Sequence, residues 1–134
     1  MTQKSGYDAL LGQLDHTAKM IREIEAEADQ ALHVHKDKAA YRALMRQKAK
    51  VLSTLYETHA GMIAGFTCEW KDDAESCLSR FSKNALNAMK LDSVFYMANL
   101  LYNDEHGEGE PNHLEELLER IRENIRKEQA AVTK

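Results

Sequence analysis

The sequence predicts an all-α fold: an antiparallel helical bundle of about four helices, with a long N-terminal helical hairpin and a third helix broken near residue 91. Apolar residues recur every three to four positions along most of the chain, which is the period of an amphipathic helix. One proline and six glycines in 134 residues leave little material for turns. A chain of this length matches one ordinary domain, so we expect residues 1–134 to form a single helical-bundle domain.

The N-terminal part of the chain carries the clearest helical pattern. An apolar stripe begins at Tyr7 and continues in steps of three and four residues to about residue 34. The same phase, if continued, would place His35 and Lys38 in the core, where burying charge is costly. We therefore predict a tight turn before Asp37, which caps helix two and makes the pair an antiparallel hairpin. The alternative is one rod over residues 7–63, roughly 85 Å long.

The middle of the chain is predicted to contain a second turn and a third helix. Helix two is expected to end at Gly65 in a left-handed conformation, ahead of the irregular segment 66–70. Asp72 or Asp73 is expected to cap the third helix. That helix is expected to end or bend near Leu91.

The C-terminal third begins with a short apolar segment and ends with an amphipathic helix. Asp92 and Ser93 are candidate caps for residues 94–102, which are apolar on nearly all sides and are expected to be buried. Residues 103–110 are acidic, contain two glycines and predict a loop. Asn112 and Glu115 have the spacing of a capping box at the start of the last helix.

Composition and charge exclude several function classes. The formal net charge is −4 with both signs interspersed, so the chain has no global attraction to phosphate backbones or anionic lipid. The longest apolar run is a few residues, against about 20 for a membrane span, so no membrane association is expected. Cys68 and Cys77 are the only cysteines, and the first 30 residues do not resemble an export segment. We expect a cytoplasmic protein.

The sequence favours a non-enzymatic role. Neither cysteine lies near a histidine in the sequence, and phosphate-binding loops and serine-nucleophile elbows are absent, so no catalytic residue or cofactor is predicted. By elimination we predict a helical protein-interaction module, an adaptor, scaffold or regulatory subunit, whose partner is another protein or a second copy in a homo-oligomer. Phe66 and Trp70 are the predicted partner-binding residues; closing the end of the core is the more ordinary role for such rings.

A nucleic-acid-associated subunit is the first alternative. Basic residues are frequent from Lys36 to Lys50, including Lys48. Four of them stand four apart and form a stripe that could meet phosphates: Lys38, Arg42, Arg46 and Lys50. The favoured interpretation is that acidic residues between positions 23 and 29 of helix one neutralise this stripe.

A metal-binding helical protein is the second alternative. In a hairpin that turns near residue 36, His16 and His59 come within about one helical turn of each other. The acidic loop offers oxygen donors for calcium, and His106 with His113 suits a softer metal. The loop lacks EF-hand spacing, so a solvated acidic loop is favoured there.

Overall fold

The computed structural model describes residues 3–103, 106–107 and 109–132. Within these residues the chain forms six α-helices and no β-strand. They are α1 (Gln3–His33), α2 (Lys38–Ser53), α3 (Leu55–Ala64), α4 (Lys71–Lys90), α5 (Val94–Asn99) and α6 (His113–Val132). The all-α prediction is confirmed. No helix in the described part of the chain has both the length and the apolar character needed to cross a bilayer.

The predicted hairpin of α1 and α2 is confirmed. Lys36 adopts the left-handed conformation in the turn, with φ of 54°. The Asp37 amide donates to the Ala31 carbonyl at 2.8 Å, which closes the end of α1. The Asp37 side chain accepts from the Ala40 amide at 3.0 Å and caps α2. A single rod over residues 7–63 is therefore excluded.

The predicted second helix is divided at Thr54 into α2 and α3. Ser82 of α4 is the physical reason: its hydroxyl accepts from the Tyr56 amide at 3.0 Å and donates to the Leu52 carbonyl at 2.9 Å. In an uninterrupted helix these two backbone groups would bond to each other, so the hydroxyl replaces one intrahelical hydrogen bond. Gly65 follows α3 with φ of −80°, so the prediction of a left-handed Gly65 is wrong.

The third helix starts slightly before its predicted cap and breaks where expected. Trp70 holds the N-cap position of α4 without a side-chain hydrogen bond, so the capping prediction for Asp72 or Asp73 is wrong. Both acids instead lie in the first turn, where carboxylates interact favourably with the helix dipole. The break near residue 91 is confirmed, because Ser93 caps α5 by accepting from the Tyr96 amide at 3.1 Å.

The helices close into a bundle whose neighbours run in opposite directions. The pair α2–α3 packs between α1 and α4, and α6 contacts both α1 and α4. Helices α1 and α6 are antiparallel, because residues later in α1 contact residues earlier in α6. The contacts are Tyr7 with Glu128 at 2.9 Å, Asp15 with Arg122 at 3.4 Å, and Arg22 with Glu115 at 2.6 Å. The antiparallel arrangement of four helical units is therefore confirmed, with α5 as a short addition.

Lys48, which the sequence groups with the basic residues of helix two, lies in the core. Its side chain is fully buried, and its ammonium group is 2.9 Å from a Glu25 carboxylate oxygen and donates to the Ala98 carbonyl at 2.9 Å. The spacing Met45, Lys48, Leu52 puts the lysine on the apolar face of α2. Glu25 therefore pairs with this buried lysine, and the stripe gains no neutralisation from it.

The apolar segment 94–102 is only partly buried, which corrects the prediction of burial on several sides. Met97, Leu100 and Leu101 are buried, but Phe95 and Tyr96 keep 71% and 53% of their surface exposed. A single helical turn has one inward face, so α5 buries Met97 and leaves both rings outside.

Candidate functional site

A groove lies between α4, α5 and the first residue of α6, with a volume of about 410 Å³. Its apolar floor consists of Leu52, Phe81, Ala88, Leu100 and Leu101. Leu101 holds φ of 76°, an uncommon conformation for a bulky residue, and its carbonyl accepts from the His113 amide at 2.9 Å. This bond fixes the start of α6 at one end of the groove. We call this cavity the α4–α5 groove.

Exposed apolar side chains extend the floor of the groove onto the surface. The Phe95 and Tyr96 rings contact each other edge to face at 5.7 Å between centroids. Tyr96 and Leu91 also line the groove, and Leu91 is 65% exposed. Leu86, half exposed on α4, continues the patch toward the outer face of that helix. The groove and these four residues form one apolar surface.

Basic and amide side chains border this surface. Arg80 and Asn84 line the groove, while Lys83 and Lys90 flank Leu86 on the outer face of α4. Among the described residues, neither lysine makes an ion pair, and Asn84 has no hydrogen-bond partner. The border therefore offers positive charge and free amide donors to a binding partner.

A histidine–carboxylate cluster adjoins the groove. His106 from the loop and His113 and Glu116 from α6 each bring one ligand atom within 4.8 Å of the other two, the only such group of three or more among the described residues. The imidazole rings meet edge to face at 4.8 Å between centroids. Asn103 contacts both rings, with its Oδ1 2.9 Å from His106 Nδ1 and its Nδ2 3.5 Å from His113 Nε2. We call His106, His113 and Glu116 the His–His–Glu cluster.

His113 is held toward its neutral form. Its pKa lies below the ordinary value because burial disfavours the charged ring, and His106 and Arg80 add repulsion that Glu116 partly opposes. A neutral imidazole keeps one nitrogen lone pair, which is the form that binds metal ions. The sequence identified His106 with His113 as a soft-metal pair; Glu116, three residues after His113 on one helix face, completes the set.

Phe66 and Trp70, the predicted partner-binding residues, are 8% and 6% exposed. Both pack on Tyr7, with ring centroids 4.9 Å and 5.2 Å away. Trp70 Nε1 donates to Glu128 at 3.0 Å. Their burial favours the alternative role of closing one end of the bundle.

The basic stripe keeps three of its four charges exposed. Lys38, Arg42 and Lys50 are exposed and make no ion pair with any residue that the structure describes, whereas Arg46 pairs with Asp92. Arg46 is therefore neutralised by an acid of the α4–α5 turn, and no described acid of α1 forms an ion pair with the stripe. Phosphate binding by the stripe stays a prediction, and no feature of the described fold adds support to it.

His16 and His59 lie in different environments. His16 is on the exposed side of α1, whereas His59 in α3 is 3% exposed and its Nδ1 has no hydrogen-bond partner among the described residues. Burial lowers the pKa of His59. The arrangement gives no support to a metal shared by the two.

Neither cysteine adds a second site among the described residues. Burial raises the pKa of the Cys68 thiol, which disfavours the reactive thiolate, and Cys77 is buried. In the acidic loop, the predicted calcium donors at positions 104, 105 and 108 lie outside the described residues.

Comparison with known proteins gives no match to a family model, a curated protein or a solved structure.

Proposed function

We propose that this chain is a non-enzymatic helical interaction module, whose α4–α5 groove binds an acidic, amphipathic helical segment of another protein. The observation that carries the proposal is the Phe95–Tyr96 pair: both rings are mostly exposed, Tyr96 lines the groove, and Phe95 contacts the Tyr96 ring. Aromatic residues beside a preformed cavity are typical anchors of protein interfaces.

The shape of the surface favours a helix as the occupant. The groove runs between two helices and continues over Leu91 and Leu86, so its apolar length exceeds what one side chain would fill. An amphipathic helix lays apolar residues at i, i+3, i+4 and i+7 into grooves of this kind. The apolar floor would receive those residues, and the Asn84 and Asn87 amides would meet the polar edge of the helix.

The charge of the border favours an acidic partner. Arg80, Lys83 and Lys90 lie around the apolar surface, and the two lysines have no ion-pair partner among the described residues. Complementary charge at the border of an interface speeds association and selects against basic partners. This complementarity argues against a second copy docking through its own basic surface.

A displayed library of helical peptides tests the proposal. The peptides carry apolar residues at i, i+3, i+4 and i+7 and Asp or Glu elsewhere, and enriched sequences are measured by fluorescence anisotropy. We expect Phe95→Ala with Tyr96→Ala to weaken binding about 30-fold, the size of an interface hot spot. Replacing the acids of the peptide with lysines should also weaken it.

Val34→Ala is the matched control, because Val34 is 62% exposed in the turn between α1 and α2, does not line the groove and should leave binding unchanged. Sedimentation of the free protein tests self-association: a dimer lost in Phe95→Ala would make a second copy the occupant. Enriched peptides that bind wild type and the double variant equally would refute the assignment of the groove.

A further inference from the structure

The His–His–Glu cluster contains the donor set of a transition-metal site. Two imidazole nitrogens and one carboxylate oxygen are the ligands that Zn²⁺ takes in open three-ligand sites. His113 and Glu116 stand three apart in the first turn of α6, so one helix face presents both. His106 comes from the loop before α6, and its ligand atom lies close to those of His113 and Glu116. The three donors therefore come from two different segments of the chain.

The surroundings orient the donors. Asn103 holds the His106 ring through its backbone amide, which donates to Nδ1 at 2.9 Å, and through its Oδ1, which is also 2.9 Å from Nδ1; neither contact occupies Nε2. In metal-binding histidines, contacts at the second ring nitrogen commonly set the orientation of the ring. The backbone of His113 is fixed by its bond to the Leu101 carbonyl and by the adjacent Asn112–Glu115 capping box, with 2.9 Å bonds in both directions.

The separation of the donors is compatible with an ion after a small adjustment. Ligands around tetrahedral Zn²⁺ lie about 3.3 Å apart, given bonds of about 2.0 Å. The three atoms already lie within 4.8 Å of one another, and the side chains are half-buried or exposed, so torsion changes can bring them together.

We infer that His106, His113 and Glu116 bind one divalent transition-metal ion of the Zn²⁺ class and thereby fasten the loop at residues 106–107 to the first turn of α6. The inference does not depend on the groove binding a protein, although His113 belongs to both. Three protein ligands leave a coordination position for water or another small ligand.

Titration calorimetry with ZnCl₂ on tag-free protein, and optical titration with Co²⁺, test this site. We expect one ion per chain and a Co²⁺ ligand-field spectrum, both lost in His106→Ala and in His113→Ala and weakened at least tenfold in Glu116→Gln. Asn103→Ala should weaken binding by about 10–100-fold, as for other residues that orient a ligand.

His33→Ala is the matched control, because His33 is exposed and pairs with Asp29 at 3.4 Å on a helix, outside the cluster. It should leave the affinity unchanged, and circular dichroism confirms that each variant is folded. Absence of saturable Zn²⁺ binding, binding that survives in both histidine variants, or preferential binding of Ca²⁺ would overturn the inference.

Discussion

The Lys48 ammonium group of α2 contacts two other helices and the segment that follows α5. It pairs with Glu25 of α1, donates to the Ala98 carbonyl of α5 and lies 5.0 Å from the centre of the Tyr102 ring. Lys48→Ala leaves Glu25 without this cation and the carbonyl without its donor. We expect it to lower the free energy of unfolding by about 3–5 kcal/mol, measured by urea denaturation.

Lys50→Ala is the control for this residue, since Lys50 lies exposed on the same helix and should change stability by no more than about 0.5 kcal/mol. Lys48→Met separates charge from packing, because it retains an apolar stem of similar length. A cost below about 1 kcal/mol for Lys48→Ala would show that the buried ion pair does not hold these elements together.

His59 makes stability depend on pH, because burial lowers its pKa below 6.5. The unfolded chain therefore takes up a proton at higher pH than the folded chain, and the folded state loses stability as pH falls below about 6.5. The loss is at most about 1.4 kcal/mol per pH unit for one proton. Urea midpoints at pH 7 and pH 5 should differ less in His59→Leu than in wild type.

His16→Gln is the matched control, because His16 is exposed on α1. It should keep the pH dependence of wild type. If His59→Leu loses as much stability as wild type between these two pH values, the acid sensitivity arises from other groups.

The backbone of the turn between α1 and α2 is strained, whereas the backbone at the end of α3 is not. Lys36 has φ of 54°, whereas Gly65 has φ of −80°, and a Cβ there would lie at ordinary contact distance, 3.5 Å, from the Met62 carbonyl. Lys36→Gly should therefore stabilise the protein by about 0.5–1 kcal/mol, because glycine adopts the left-handed conformation without steric cost.

Gly65→Ala is the companion variant and should be neutral or stabilising by up to about 1 kcal/mol. Thermal unfolding of both variants measures these changes. A lower melting temperature for Lys36→Gly would show that the lysine side chain contributes more than its backbone strain costs.

Sequence predicted the elements whose causes are local. Asp37, Ser93 and the Asn112–Glu115 pair cap helices through bonds that span three residues, so the pattern around each one sufficed. The division at Thr54 was missed because Ser82, which causes it, lies on another helix.

The candidate sites also differ in how well the sequence predicted them, depending on whether their residues lie close along the chain. His106 and His113 were paired from the sequence because the loop and the helix start lie close along the chain. The exposure of Phe95 and Tyr96 was missed, because apolar character predicts burial and only the packing of α5 shows which face is left outside. The burial of Lys48 could have been predicted from the sequence, since its spacing from Met45 and Leu52 places it on the apolar face of the helix.

Glu128 of α6 contacts both α1 and the residue that precedes α4. Tyr7 near the start of α1 donates to it at 2.9 Å, and Trp70 before α4 donates at 3.0 Å. Three segments distant in sequence therefore share one carboxylate. Because Trp70 is the single tryptophan, its fluorescence reports this junction directly.

Glu128→Ala removes the acceptor of the buried Trp70 Nε1 and one partner of the buried Tyr7 hydroxyl, so we expect it to destabilise the bundle by about 2 kcal/mol, within the range for hydrogen bonds to a charged group. Glu128→Gln keeps an acceptor oxygen and should cost less. Glu123→Ala, which removes an exposed partner of Arg126, controls for lost helix charge. The emission of Trp70 in the folded state should shift only in the Glu128 variants; an unchanged spectrum in Glu128→Ala would mean that aromatic packing on Tyr7 holds the junction without the carboxylate.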